Sequence, residues 1–155
     1  MTQPLNVAVI GTGFIGRVHV RSARLAGANV IGVAASTPAR SIEAAASMNV
    51  PKGYANGLDA VRDRDVDVIH ICTPNTLHVE VARAALEAGK HVVCEKPLAT
   101  SLKDALALAD LAKAKGLVAT VPFVNRIEAV LRSSAGNAWT DIDEVNSGQR
   151  TADSS

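Results

Sequence analysis

The chain has 155 residues, enough for one ordinary domain that buries roughly 68–70% of the surface its unfolded form exposes. Apolar residues make up 48% of it and charged residues 20%, a globular composition that excludes an unfolded polar polymer. The net charge is +1 and the 16 basic residues are spread along the chain, which argues against a nucleic-acid surface; no apolar run approaches the ~20 residues of a membrane span.

Residues 5–10 (LNVAVI) form a short apolar run that ends at Gly11, the pattern of a parallel strand covered on both faces. Helix-compatible spacing follows over 14–26 and stops at Gly27. A second strand is expected over 29–35 and a second helix over 38–48, with Thr37 as N-cap and Pro38 in the first turn. A weaker unit runs through Gly53, Tyr54 and residues 58–62. Then come a strand over 66–72, a helix over 77–88 closed by Gly89, and a strand over 91–94. Ser101 caps a helix over 102–115 that Gly116 closes, and 117–121 reads as the last strand. With only 3% aromatic residues, Ala, Val, Leu and Ile must build the core, which suits a parallel sheet under Ala-rich helices.

Strands alternating with helices predict an α/β fold, a doubly wound parallel sheet in the order 3-2-1-4-5-6 with right-handed crossovers. The domain is expected over 1–125. Residues 126–132 read as one more helix, and 133–155 as a polar, aperiodic tail with too few apolar residues for a core. Residues 1–4 (MTQP) carry no basic segment ahead of an apolar run, so no secretory signal is expected. Cys72 and Cys94 lack metal-ligand spacing and read as small buried hydrophobes. A reduced, cytoplasmic protein without a metal site is the expectation.

Gly11-Thr12-Gly13-Phe14-Ile15-Gly16 sits between the first strand and the first helix, the context that a Rossmann dinucleotide fingerprint requires. Gly11 permits the tight turn, Gly13 admits a pyrophosphate to the backbone, and Gly16 lets helix and strand pack closely. Free N–H groups around Phe14 and Ile15 then face the anion. A glycine-rich turn without a ligand and a methyltransferase loop are the competing readings; the motifs described below count against the second. An acidic residue normally ends the second strand in NAD-binding chains. Here Ser36 and Thr37 stand there with Arg40 just inside the next helix, which leans towards NADP over NAD. The plain alternative is that Ser36 and Thr37 only cap that helix.

Two further motifs fall at carboxyl ends of strands: Thr73-Pro74-Asn75-Thr76-Leu77-His78 and Cys94-Glu95-Lys96-Pro97. Together with the glycine loop and His19, they resemble the glucose–fructose oxidoreductase/inositol dehydrogenase (Gfo/Idh/MocA) family over about residues 6–126. The resemblance implies hydride transfer between a nicotinamide cofactor and a hydroxyl carbon of a sugar, cyclitol or other small polyol. It implies that Lys96 handles substrate hydrogen bonding and the proton, and that the Lys96–Pro97 peptide is cis. Thr73, Pro74 and Asn75 would line the cofactor crevice, with Asn75 also able to cap the next helix. Glu95 is expected to contact cofactor or backbone rather than pair with Lys96. For His78 a ligand-facing and a surface position stay open. His70 reads as a hydrogen-bonded structural histidine, and His91 carries no signal.

The resemblance also implies a second α/β domain that supplies most of the substrate pocket in relatives more than twice this length. Residues 123–126 (FVNR) match its opening, and the polar tail then departs from the pattern. A truncated enzyme and a stand-alone nucleotide-binding module without catalysis both remain open. Self-association through an exposed crevice or sheet face, giving a homo-oligomer, is left open as well.

Overall fold

The computed structural model describes residues 3–122, so the helix expected over 126–132 and the polar tail lie outside the described residues. The apolar run after Leu5 forms β1 (Asn6–Ile10), and its alternation organises everything around it. Successive side chains of a strand leave on opposite faces. Val7 and Val9 enter one core, Ala8 and Ile10 the other, and all four are buried.

The chain continues through α1 (Phe14–Leu25), β2 (Asn29–Ala34), α2 (Pro38–Ser47), β3 (Lys52–Tyr54) and α3 (Gly57–Arg62). Next come β4 (Val68–Ile71), a 3-10 turn over Asn75–Leu77, α4 (His78–Glu87), β5 (His91–Cys94), α5 (Leu102–Ala114) and β6 (Ala119–Thr120). The six strands form one parallel sheet in the order β3-β2-β1-β4-β5-β6, the order expected from the alternation of elements. β1 pairs with β2 on one side (Val9 beside Val33) and with β4 on the other (Ile10 beside Ile71).

One face of the sheet carries α1 and α2: Val20, Ala23, Ala44, Ala45 and Met48 pack on Val7, Val9, Val30, Val33 and Val68. The other carries α3, α4 and α5, with Ala60, Val61, Val81, Ala85, Leu86 and Leu108 on Ala8, Ile10, Ile69, Ile71 and Val92. Alanines on the helices let them approach a sheet of β-branched residues without voids. Local chemistry sets the starts of α2, α3 and α5. Thr37 Oγ1, Asn56 Oδ1 and Ser101 Oγ accept from the amides of Arg40, Asp59 and Asp104 at 3.3, 3.0 and 3.1 Å. The boundaries fall within two residues of the expected ones, and β6, trimmed at both ends, is only two residues long at the sheet's edge.

The chain leaves β1 towards β2 and β3, then returns to β4 on β1's other side. Neighbouring crossovers therefore diverge at the carboxyl ends of β1 and β4, which opens a crevice there.

Ile69, fully buried in β4, is a strict test of this core, and Leu102, 76% exposed on α5, is its control. Ile69→Ala should cost about 2–5 kcal/mol in urea unfolding, whereas Leu102→Ala should stay within about 0.5 kcal/mol.

Candidate functional site

The glycine loop lies against the end of β4. Gly11 has φ +99, and a Cβ there would overlap the Cys72 carbonyl, with the Thr73 nitrogen at 2.9 Å. A Cβ on Gly16 would overlap the Gly11 carbonyl oxygen. Both glycines are therefore demanded by the protein's own packing. Gly13 is different: its φ is −67, open to any residue, and a Cβ on it would meet nothing within 4 Å. Neither fold nor backbone requires glycine there, and what remains is a group that approaches from outside. Thr12 and Ile15 are half-buried, Ile15 against the α1-side core, while Phe14 is 84% exposed at the lip.

Gly13 is also the N-cap of α1, where no side chain caps the helix and no acidic residue occupies the first turn. The first-turn amides thus point out of the loop with the positive end of the helix dipole behind them. One strand further, Thr73 Oγ1 is buried without a hydrogen-bond partner among the described residues. A cradle open only at Gly13, an uncapped helix start and an orphaned hydroxyl fit the pyrophosphate and ribose of a dinucleotide.

At the end of β2, Thr37 caps α2, while Arg40 Nη1 donates to Ser36 Oγ at 3.2 Å on the surface. Ser41 Oγ donates to Thr37 O at 3.1 Å and accepts from the Ala35 amide at 2.8 Å, which fixes the turn between them. Residues 34–40 (AASTPAR) contain no carboxylate.

His78 departs from both readings offered for it, since it is fully buried and faces neither ligand nor solvent. Its Nδ1 lies 2.8 Å from Pro97 O and its Nε2 2.9 Å from Thr73 O. It ties the loop after β4 to the loop after β5. The reason is its helical phase: His78, Val81, Ala82, Ala85 and Leu86 form the buried stripe of α4. Asn75 does not cap α4 either. It lies inside the 3-10 turn, and neither that turn nor α4 has a side-chain cap.

Glu95 turns away from the crevice floor. Its Oε2 accepts from the Lys96 amide at 3.1 Å and its Oε1 lies 3.0 Å from His19 Nε2, the two side chains being 12% and 9% exposed. His19 Nδ1 in turn lies 3.1 Å from His70 Nδ1, the rings edge to face. Burial, with His19 nearby, pushes the His70 imidazole down to about 4, so it is neutral near pH 7. Burial pushes the Cys72 and Cys94 thiols up to about 12, which leaves neither as a nucleophile. Lys96 is exposed, its peptide to Pro97 is cis, and its ammonium has no carboxylate partner among the described residues. No group of three His, Cys, Asp or Glu that could hold a metal ion occurs among the described residues.

Residues 5–123 match the family model described as an oxidoreductase family with an NAD-binding Rossmann fold, Gfo/Idh/MocA. The chain belongs to this family. Levoglucosan dehydrogenase of Pseudarthrobacter phenanthrenivorans is 37% identical over 131 residues, covering 78% of the chain and 33% of the relative. Inositol 2-dehydrogenase 3 of Saccharopolyspora erythraea is 34% identical, covering 83% and 38%. Among solved structures, levoglucosan dehydrogenase with NADH and levoglucosan matches at TM-score 0.74 and 32% identity over 86% of the chain and 41% of its own. Biliverdin reductase from Synechocystis, with biliverdin and NADP+, matches at 0.75 and 30% over 87% and 43%. The chain spans about a third of the length of the curated relatives it matches.

As the nicotinamide-nucleotide domain of a Gfo/Idh/MocA oxidoreductase, the chain has two histidine contacts that pattern reading did not foresee, His19–Glu95 and His78–Pro97. Both bridge segments far apart in sequence. Alternation along β4 held a signal for the His19–His70 contact beside them: Val68 faces the α1-side core, so His70, two residues on, shares the face that α1 covers. No helix among the described residues is long and apolar enough to cross a membrane.

The lowered His70 value sets a pH dependence. Its ordinary value is 6.5 and its folded value about 4, so between these the unfolded chain binds a proton that the folded chain refuses. Stability should fall by up to roughly 3 kcal/mol as pH drops from 6.5 to 4. His70→Leu should flatten that part of a urea-unfolding profile.

Proposed function

We propose that the chain holds a nicotinamide dinucleotide across the ends of β2, β1, β4 and β5, and that it serves the oxidation of a hydroxyl carbon on a sugar, cyclitol or related polyol. The observation that carries the reading is Gly13, a glycine that nothing inside the protein requires. The pyrophosphate would lie over Gly13 and the amides of Phe14 and Ile15, and the Thr73 hydroxyl would gain a partner from a ribose or phosphate. Thr12, Pro74 and Asn75 would form the walls on either side.

The site favours NADP over NAD. Ser36 and Arg40 stand where the adenosine ribose would end, and the segment around them has no carboxylate to hold a 2′-hydroxyl or repel a 2′-phosphate. A guanidinium matches a phosphate in charge and in geometry.

Bound oxidised nicotinamide supplies the hydride acceptor. The protein's part is to hold the carbinol against it and receive the hydroxyl proton. Lys96 would do the second: it is exposed at the end of β5, the lone pair of its neutral amine would take the proton, and the ammonium so formed would donate to the substrate oxygen. His78 supports both loops without touching ligand, and Glu95 anchors the backbone before Lys96. The names of the relatives (levoglucosan, inositol and 1,5-anhydro-D-fructose enzymes) support a small polyhydroxylated substrate.

Calorimetric titration with NADP and NAD tests the reading. Gly13→Val should lose at least tenfold in affinity, about 1.4 kcal/mol, with the folded chain intact. Gly16→Val, which overlaps backbone, should instead lower stability. No binding of either nucleotide by the folded chain would refute the proposal. Arg40→Ala should weaken NADP about 10- to 100-fold, the scale of a charge-assisted hydrogen bond, and leave NAD unchanged. Equal loss for both would remove the NADP preference.

A further inference from the structure

We propose that His19 is a positioning residue for Lys96: it holds the Glu95 carboxylate on α1 and so keeps it off the Lys96 ammonium. This rests on Lys96 being the group at the reacting end of the site.

The difficulty it resolves is local. Glu95 and Lys96 are neighbours in sequence at the rim of the crevice, and a carboxylate released there could swing to the ammonium as a weak exposed ion pair. A paired Lys96 would have a donor committed away from substrate. In the structure both Glu95 oxygens are already taken, Oε1 by His19 and Oε2 by the Lys96 amide. The carboxylate therefore holds the backbone of Lys96 and leaves its side chain alone.

The contacts on both sides of His19 fix where its hydrogens lie. A neutral imidazole has one N–H and one acceptor nitrogen. The 3.1 Å contact between the two Nδ1 atoms needs one hydrogen between them. Either His70 donates it to a neutral His19, or a doubly protonated His19 donates it to His70. In both cases His19 Nε2 carries a hydrogen and donates to Glu95. The one remaining tautomer would set a lone pair against the carboxylate, and it is disfavoured for that reason. His70 accommodates both allowed states, and it is the Glu95 carboxylate that keeps a hydrogen on the His19 nitrogen facing it.

The test uses the 155-residue chain. Amine acylation at limiting reagent, resolved by peptide mass spectrometry, reports Lys96 against Lys103 and Lys113 on α5. His19→Ala should free Glu95 to pair with Lys96 and slow its acylation about threefold, the scale of an exposed ion pair, with the α5 lysines unchanged. His19→Gln, whose amide can still donate to Glu95, should restore the wild-type rate. A purely architectural His19 would change all three lysines together. Lys96 labelling that is unchanged in His19→Ala, or altered equally in both variants, overturns the proposal. Wild-type nitrogen NMR gives a check that needs no variant: His19 should carry a hydrogen on Nε2 at pH 7, and a bare Nε2 would overturn the proposal equally. The nucleotide titration is separate. A chain that binds NADP while Lys96 ignores His19 loses only the positioning role, and one that binds neither nucleotide loses the function on which that role rests.

Discussion

The close approach of the β1–α1 turn to the end of β4 is the constraint on which the rest of the site depends. Gly11 lies against the Cys72 carbonyl and Gly16 against the Gly11 carbonyl, and neither place has room for a Cβ. The Gly11 amide also donates to Ala34 O at 2.8 Å, so the same residue ties the turn to β2. With the turn fixed on both sides, α1 must start at the crevice and run back across the sheet. Its uncapped first turn faces the crevice, and His19 arrives over β4. A side chain at either glycine would displace α1, and with it the anion cradle and the Glu95 contact.

Much of this architecture was legible because it is local. The glycine loop between strand and helix, the Thr37 and Ser101 caps and the strand order all follow from neighbouring residues and short-range rules. Cys72 and Cys94 read correctly as buried, and register shows why they stay apart: they enter the cores on opposite faces of the sheet. Strand lengths were less legible, since β6 at the edge has only β5 beside it and keeps two residues.

The rest was hidden because it is non-local. His78 closes the Thr73–His78 motif, but its helical phase on α4 is the better guide to where it lies. Asn75 has the chemistry of a cap, but a 3-10 turn takes up the position where a cap would act. The His19–Glu95 contact joins residues 76 apart in sequence and depends on α1 and β5 lying over the same stretch of sheet. Motif spacing carries no such information. Alternation in β4 at least points His70 to the correct side.

The distribution of charge follows from these contacts and bears on what the crevice can bind. Near the sheet, carboxylates are occupied within the protein. Lys52 Nζ and Tyr54 Oη both donate to Asp63 Oδ2, at 2.6 and 2.9 Å, and the Lys52 hydrogen bond leads in holding the Asp63 carboxyl down at about 2. Glu95 is held by His19 and the Lys96 amide. The cations at the strand ends have no carboxylate partner among the described residues: Arg40 beyond β2 meets only a serine hydroxyl, and Lys96 follows β5. Between them lie the uncapped start of α1 after β1 and the unpartnered Thr73 hydroxyl after β4. Read across the sheet in the order β2, β1, β4, β5, these groups form a row of donors over three strand spacings of about 4.8 Å each. A row with a cation at each end and an anion cradle inside suits an extended, multiply anionic ligand better than a compact one. The internal pairing of the carboxylates is what leaves that row uncancelled.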